Sequence, residues 1–469
     1  MTSAAAPRSP GRRPRLPSWA GRNFQLLTAA SVITSLGNSG ALIAAAFAVI
    51  ESGGSATDVG LVAASRTLPL VVFLLIGGAL ADRLPRNQVM VAANVLNCAS
   101  QAVFATLVIS GHAQLWQMAA LTAVGGTAHA FFSPASEGML LATVDPAHAN
   151  KAFSVFRVGM NGANIGGAAL GGALVAAIGP GWVLAVDAAA FAVAAVLRAF
   201  LTGTRNLRSE PGGGMLRDLR EGWREFVSRR WLWGIVVQFA VVNAVFTASE
   251  AVYGPLVSED RLGGAGPWGL ALAAFGAGTV GGGVLMMRWK PRRMLLAGTL
   301  CVFAMALPPA ALALVVPAAA LAALMFATGV AVEVFGVGWM LALHQEIPGD
   351  KLSRVSSYDW FGSVAMVPVA TALAGPAMNT LGRSTALWGC SGLVVLLTGA
   401  VLLVPEVRGL TRRETSAVVE SAAAVPGAAP IPGASPLPGA VTAAGLSQPA
   451  QPTVKAPSGG SGDGTAVAS

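Results

Sequence analysis

Among the ionisable residues inside stretches of sequence that are otherwise apolar, six are site candidates: Arg66, Arg157, Asp187, Glu250, Glu333 and Asp359. A charge taken out of water must find a partner or switch between charged and neutral forms, so such residues are candidates for holding a proton or the polar part of a ligand. Glu333 and Asp359 are the carboxylates placed to bind and release a proton; the competing expectation pairs Asp359 with basic residues near Arg83 and makes Arg157 a structural partner. Arg198 is expected to snorkel to the inner surface. Uncharged candidates to line a cavity are Asn38, Gln238, Asn243, Phe246, Phe335, Trp339 and Trp360, although aromatic residues on helices serve packing more often than ligand contact.

Other chemistries are excluded by spacing. The lysines are Lys151, Lys290, Lys351 and Lys455, and none completes a glycine-rich phosphate loop. No His, Cys and carboxylate group has metal-ligand spacing, and no serine sits in a nucleophile elbow. Neither an enzyme, a metal site nor a cofactor is expected.

The elements that must position these residues follow from composition. Of 469 residues, 54% are hydrophobic and 11% charged, with mean hydropathy +0.65, against about a quarter charged in soluble domains. Apolar segments long enough to cross a hydrocarbon core of about 30 Å fall at 24–50, 57–80, 88–110, 115–140, 151–177, 181–203, 231–256, 266–287, 293–315, 318–343, 353–378 and 384–405. A barrel would show strict alternation, whereas Leu70–Ile76 is continuously apolar. The cysteines, Cys98, Cys301 and Cys390, fall in three different segments, so no disulfide framework is expected. The net charge of +9 reflects topology rather than nucleic-acid binding. With both termini inside, Arg86, Lys151, Arg224, Lys290, Lys351 and most other basic residues fall on the inner side, leaving Arg261 and Arg383 outside.

The expected architecture is an all-α polytopic membrane protein of twelve transmembrane helices in two pseudo-symmetric six-helix bundles. Residues 1–23 form an N-terminal tail, 24–203 the first bundle, 204–230 a linker with an amphipathic interfacial helix, 231–405 the second bundle and 406–469 a disordered tail. The halves repeat weakly. Leu84-Pro85-Arg86 matches Lys290-Pro291-Arg292, and Ser154-Val155-Phe156-Arg157 matches Ser356-Ser357-Tyr358-Asp359, at nearly equal offsets. A parallel repeat of this kind places a cavity between its halves and lets them rock to expose it to each side in turn.

Two motifs sharpen the expectation. Gly78, Asp82, Arg83 and Arg86 lie between the second and third segments, where the carboxylate and guanidinium groups could latch one conformation. The chain here resembles the major facilitator superfamily, whose corresponding loop reads Gly-x-x-x-Asp-Arg-x-x-Arg; Pro85 replaces the usual glycine. In the fifth segment Gly167, Gly171 and Gly172 belong to a face with almost no side-chain bulk, similar to the Gly-Pro-x-x-Gly-Gly motif of proton-coupled antiporters, with Ala168 where proline is usual. Together with Phe132-Ser133-Pro134-Ala135 this resembles the drug:proton antiporter branch that contains macrolide and siderophore exporters. The resemblance implies a monomeric inner-membrane exporter of small hydrophobic or amphiphilic molecules, driven by protons, with the lipid bilayer as its other partner. The alternatives are an importer or uniporter of a small metabolite and a non-transporting sensor or assembly partner.

Overall fold

The computed structural model describes residues 20–81, 85–145, 148–201 and 215–412, and every regular element among them is helical. The first set comprises α1 (Arg22–Glu51), α2 (Ala56–Ala81), α3 (Arg86–Ile109), α4 (Leu115–Ala142), α5 (Ala149–Ile178) and α6 (Pro180–Ala199). After the linker helix α7 (Met215–Ser228), the second set begins with α8 (Arg230–Ala248) and α9 (Gly254–Val257), then α10 (Ala265–Arg288). It continues through α11 (Met294–Val302), α12 (Leu307–Leu314), α13 (Ala318–Glu346), α14 (Gly349–Ala365), α15 (Val367–Leu381) and α16 (Arg383–Val401), closing with the short α17 (Pro405–Gly409).

Among the described residues, 11 helical runs are long and apolar enough to cross a membrane. The remaining expected crossing, α4, has 28 residues, enough for about 42 Å of helix. Its hydropathy is diluted by Gln117, Thr127 and His129, and it packs between α2 and α3, with His129 lining a cavity within the first set.

Proline shapes the second set. Pro255 lacks an N–H and its ring displaces the preceding carbonyl, and the run opens into wide turns at Ser249–Tyr253 and Ser258–Leu262 on either side of it. This crossing therefore reaches Leu262, past the residue 256 read from hydropathy. A tight turn at Phe303–Ala306 precedes Pro308, and α14 breaks from α15 at Met366, just before Pro368. The repeat is visible in the turns. Gly179 joins α5 to α6 with φ 84° and Gly382 joins α15 to α16 with φ 81°, a region in which only glycine sits without strain.

Within the first set α1 packs on α5 and α6, and α3 on α4 and α6; within the second α13 packs on α10 and α11, and α16 on α8 and α12. The two sets meet through α5 against α10 and α2 against α15. Their apolar cores are not equally shared along that length. At one end a single cluster includes Phe47, Val59, Val62 and Phe104 from the first set with Tyr253, Trp268, Leu321 and Leu387 from the second. At the other end the cores formed by the described residues are separate, one around Phe24, Met90 and Leu140 and one around Phe226, Trp231, Phe335 and Val407. Among the described residues the bundle is thus joined at the end carrying the α1–α2 turn and divided at the end carrying α7.

Candidate functional site

The joined end is built from small residues. A Cβ on Gly172 of α5 would lie 2.6 Å from Gly269 Cα of α10, and one on Gly60 of α2 would lie 2.5 Å from the Thr371 carbonyl of α15. Gly375 is equally tight against Thr57. Tyr253 Oη donates to the Ala374 carbonyl at 2.9 Å in the same buried layer. The other two glycines of the α5 motif serve a different neighbour: Gly167 and Gly171 abut Leu36 and Gly40 of α1. The bare face of α5 therefore turns in two directions, one within its own set and one across to α10.

Beneath this layer lies a cavity of about 320 Å³ shared by the two sets. Its walls are mostly apolar, from Leu42, Ile43, Val59, Trp268 and Leu272. Thr122, Thr247 and Thr371 supply hydroxyls, and Arg66 and Glu250 stand on walls from opposite sets. Glu250 Oε1 is buried without a hydrogen-bond partner. Arg66 is anchored in its own set: its Nη2 donates to Asn38 Oδ1 at 2.9 Å, and it lies within electrostatic reach of Asp187 on α6. Asp187 is fully buried and its Oδ2 accepts from Gln101 Nε2 at 2.9 Å. Gly126 explains how α4 reaches this group, because any side chain there would strike the backbone of Arg66.

The remaining sequence candidates lie elsewhere. Glu333 on α13 sits against Gly282 of α10 and within reach of the charge of Arg157, an exposed residue of α5. Asp359 accepts from Trp339 Nε1 at 2.9 Å, within its own set. Asp82 and Arg83 lie outside the described residues, while Gly78 is within α2 and Arg86 opens α3. Arg198 does not snorkel. It is 0% exposed, its Nη2 donates to Ser31 Oγ at 3.0 Å, and its guanidinium lies 4.6 Å over the Phe132 ring. The close packing of α6 on α1 and α3 leaves it no path to the surface.

Of the uncharged candidates, Asn38 lines a cavity. Gln238 and Asn243 are engaged by Thr398 and the Ser363 carbonyl, Phe246 and Phe335 pack against other rings, and Trp360 is exposed. Sequence reasoning missed Gln101, Thr122, Thr247 and Thr371. The usable signal was a polar side chain in an apolar helix, but polar residues that merely cap their own helix show the same signal.

Comparison with known proteins follows the same lines. The family model described as Major Facilitator Superfamily matches residues 27–367. The chain is 30% identical over 318 residues to the multidrug efflux pump Tap of Mycolicibacterium fortuitum, covering 61% of this chain and 74% of that one. It is 32% identical over 181 residues to the uncharacterized MFS-type transporter YfiS of Bacillus subtilis (strain 168), a match spanning 38% of this chain and 42% of that relative. Among solved structures, the nucleoside transporter NupG superimposes with a TM-score of 0.66 at 12% identity, over 81% of this chain and 98% of NupG. A bacterial homolog of the human lysosomal transporter Spinster gives 0.64 at 16% identity, over 85% and 98%.

Proposed function

Because the chain belongs to the Major Facilitator Superfamily, we propose that this multi-pass transporter exports small hydrophobic or amphiphilic molecules by alternating access, driven by proton antiport. The observation that carries the reading is the cavity between the two sets, closed above by the glycine layer and holding Glu250 among apolar walls. With the facing Arg66 guanidinium engaged by Asn38 and Glu250 Oε1 left without a hydrogen-bond partner, this carboxylate is stabilised by a cationic ligand or by a proton. Competition of the two for one group couples their movement in opposite directions. Export is the direction supported by the Tap relatives, which are efflux pumps.

The units that rock are residues 24–203 and 231–405, joined by the linker 204–230, in a monomer whose termini lie on the cytoplasmic side of the inner membrane. Under that orientation the divided end faces the cytoplasm and the conformation is open inward. The proposed latch of Gly78, Asp82, Arg83 and Arg86 closes that end when the sets rock, and the bare faces at Gly167, Gly171 and Gly172 let α5 slide on α1 and α10. In this scheme Glu250 meets the ligand, Arg66 and Asp187 form the polar support of the first set, and Glu333, Arg157 and Asp359 line the inner route.

The test is accumulation of a panel of fluorescent and antibiotic compounds in efflux-deficient cells expressing the chain, with and without a protonophore. Reduced accumulation that the protonophore abolishes, and that Glu250→Gln abolishes for cationic compounds while leaving membrane abundance unchanged, is the expected result. Raised uptake, or extrusion indifferent to the protonophore, overturns it.

A further inference from the structure

A second cavity, of about 290 Å³, lies within the first set of helices. Two arginines each occupy one acceptor along its wall, which also carries Asn97, His129 and several hydroxyls. Ser31 Oγ accepts from Arg198 Nη2, so the single hydroxyl proton of Ser31 must point elsewhere; Asn38 Oδ1 accepts from Arg66 Nη2, leaving the amide donors of Asn38. In the same lining, Asn94 is 1% exposed and its Nδ2 has no partner. Arg198 itself, fully buried behind Ser31 and Phe132, leaves Nε and Nη1 unbonded. No Asp or Glu lines this cavity among the described residues. The position of Arg198 in the last turn of α6 lets the helix dipole offset part of its charge, but the dipole supplies no acceptor for those two nitrogens.

We infer that this cavity is a binding subsite for an amphiphilic organic anion, its carboxylate or similar oxyanion held by the Ser31 hydroxyl and the Asn94 amide. Arg198 neutralises the anion from behind the wall through Ser31. Phe156, Met160 and Phe191 provide the apolar remainder of the lining. A guanidinium with two unbonded nitrogens in a water-poor interior exerts a strong, poorly screened field on the adjacent space. Ser31, which accepts from Arg198 and lines the cavity, is the residue through which that field reaches the space. The inference rests on the reading of the chain as a carrier of small molecules and widens its ligands to anions recognised away from Glu250.

The experiment uses the purified full-length protein in nanodiscs of phosphatidylcholine, with calorimetric titration of naphthalene-2-carboxylate and of its neutral isostere naphthalene-2-carboxamide. The carboxylate is expected to bind at least tenfold more tightly than the carboxamide. Ser31→Ala should reduce carboxylate affinity at least fivefold and leave the carboxamide unchanged, and Arg198→Gln should do the same. Should Arg198→Gln fail to fold, Ser31→Ala, which removes one oxygen, carries the test. A matching loss of carboxylate affinity in discs containing phosphatidylglycerol assigns the oxyanion to a lipid headgroup, and no change assigns it to a soluble ligand; either outcome upholds the anion site. Equal affinities for the two probes, or a carboxylate preference that survives Ser31→Ala, overturns it. Because binding is read without transport, a failure of extrusion in cells leaves this result independent.

Discussion

Gly172→Ala is the perturbation that most directly addresses how the two sets of helices are held together. The new Cβ would stand 2.6 Å from Gly269 Cα and 2.7 Å from the Ala265 carbonyl oxygen, where ordinary contact begins at 3.4 Å. Both obstructing atoms are backbone, so no rotamer change relieves the clash and α5 and α10 must separate by roughly an ångström at a close-packed interface. Overpacking of this kind costs about 1–3 kcal/mol. Because the clash exists only where the sets are joined, the penalty falls on that conformation alone and shifts the equilibrium toward its opposite by about 5–150-fold. Spin labels at Ser52 and Arg261, both exposed at the joined end, report the change by pulsed electron resonance after Cys98, Cys301 and Cys390 are replaced by serine. A longer-distance population should grow in Gly172→Ala. The control is Gly162→Ala on the same helix, where a Cβ meets nothing within 4 Å and the distribution should not move. An unchanged distribution in folded Gly172→Ala protein would refute the claim that this contact closes the bundle.

Gly126→Ala should be more damaging, since the added methyl strikes the Arg66 backbone and forces α4 from α2; a loss of about 3 kcal/mol, read as a lower melting temperature, is expected. Tyr253→Phe removes the buried hydrogen bond to the Ala374 carbonyl and should destabilise the joined end by about 1 kcal/mol, visible as a smaller shift in the same spin-label distances. Outside the membrane, Glu225 of α7 bonds Arg229 at 2.8 Å and Lys351 at 2.9 Å, tying the linker helix to α14. These bonds, that of Arg229 first and that of Lys351 next, hold its carboxyl below the usual glutamate range. A depressed value means stability that is present above the ordinary carboxylate range and lost as pH falls through the folded value. Glu225→Gln should therefore lower thermal stability by up to about 1 kcal/mol at pH 7, and thermal melts should show the gap to wild type closing below about pH 4.

Much of the architecture was legible in the residues alone because the membrane imposes a coarse code. Length and hydropathy decide which segments cross, as with Arg22–Glu51 and Ala318–Glu346, since lipid satisfies no backbone group and leaves the helix as the economical solution. The paired Gly179 and Gly382 turns likewise echo a repeat already visible in chain order. Hydropathy placed α4 among the crossings despite its polar residues, but misjudged the end of the seventh crossing, where Pro255 widens the helix rather than ending it. The site was read less well for a related reason. A charged residue in an apolar segment announces that a partner is required but not which one, and the choice is made by helices distant in sequence. Asp187 meets Gln101, Asp359 meets Trp339, and Arg198 is sealed against Ser31 and Phe132 instead of reaching the surface. Composition along one helix sets the solvent it needs, whereas the rotation of each helix about its axis, and so which polar groups face one another, is set by side-chain packing among all of them.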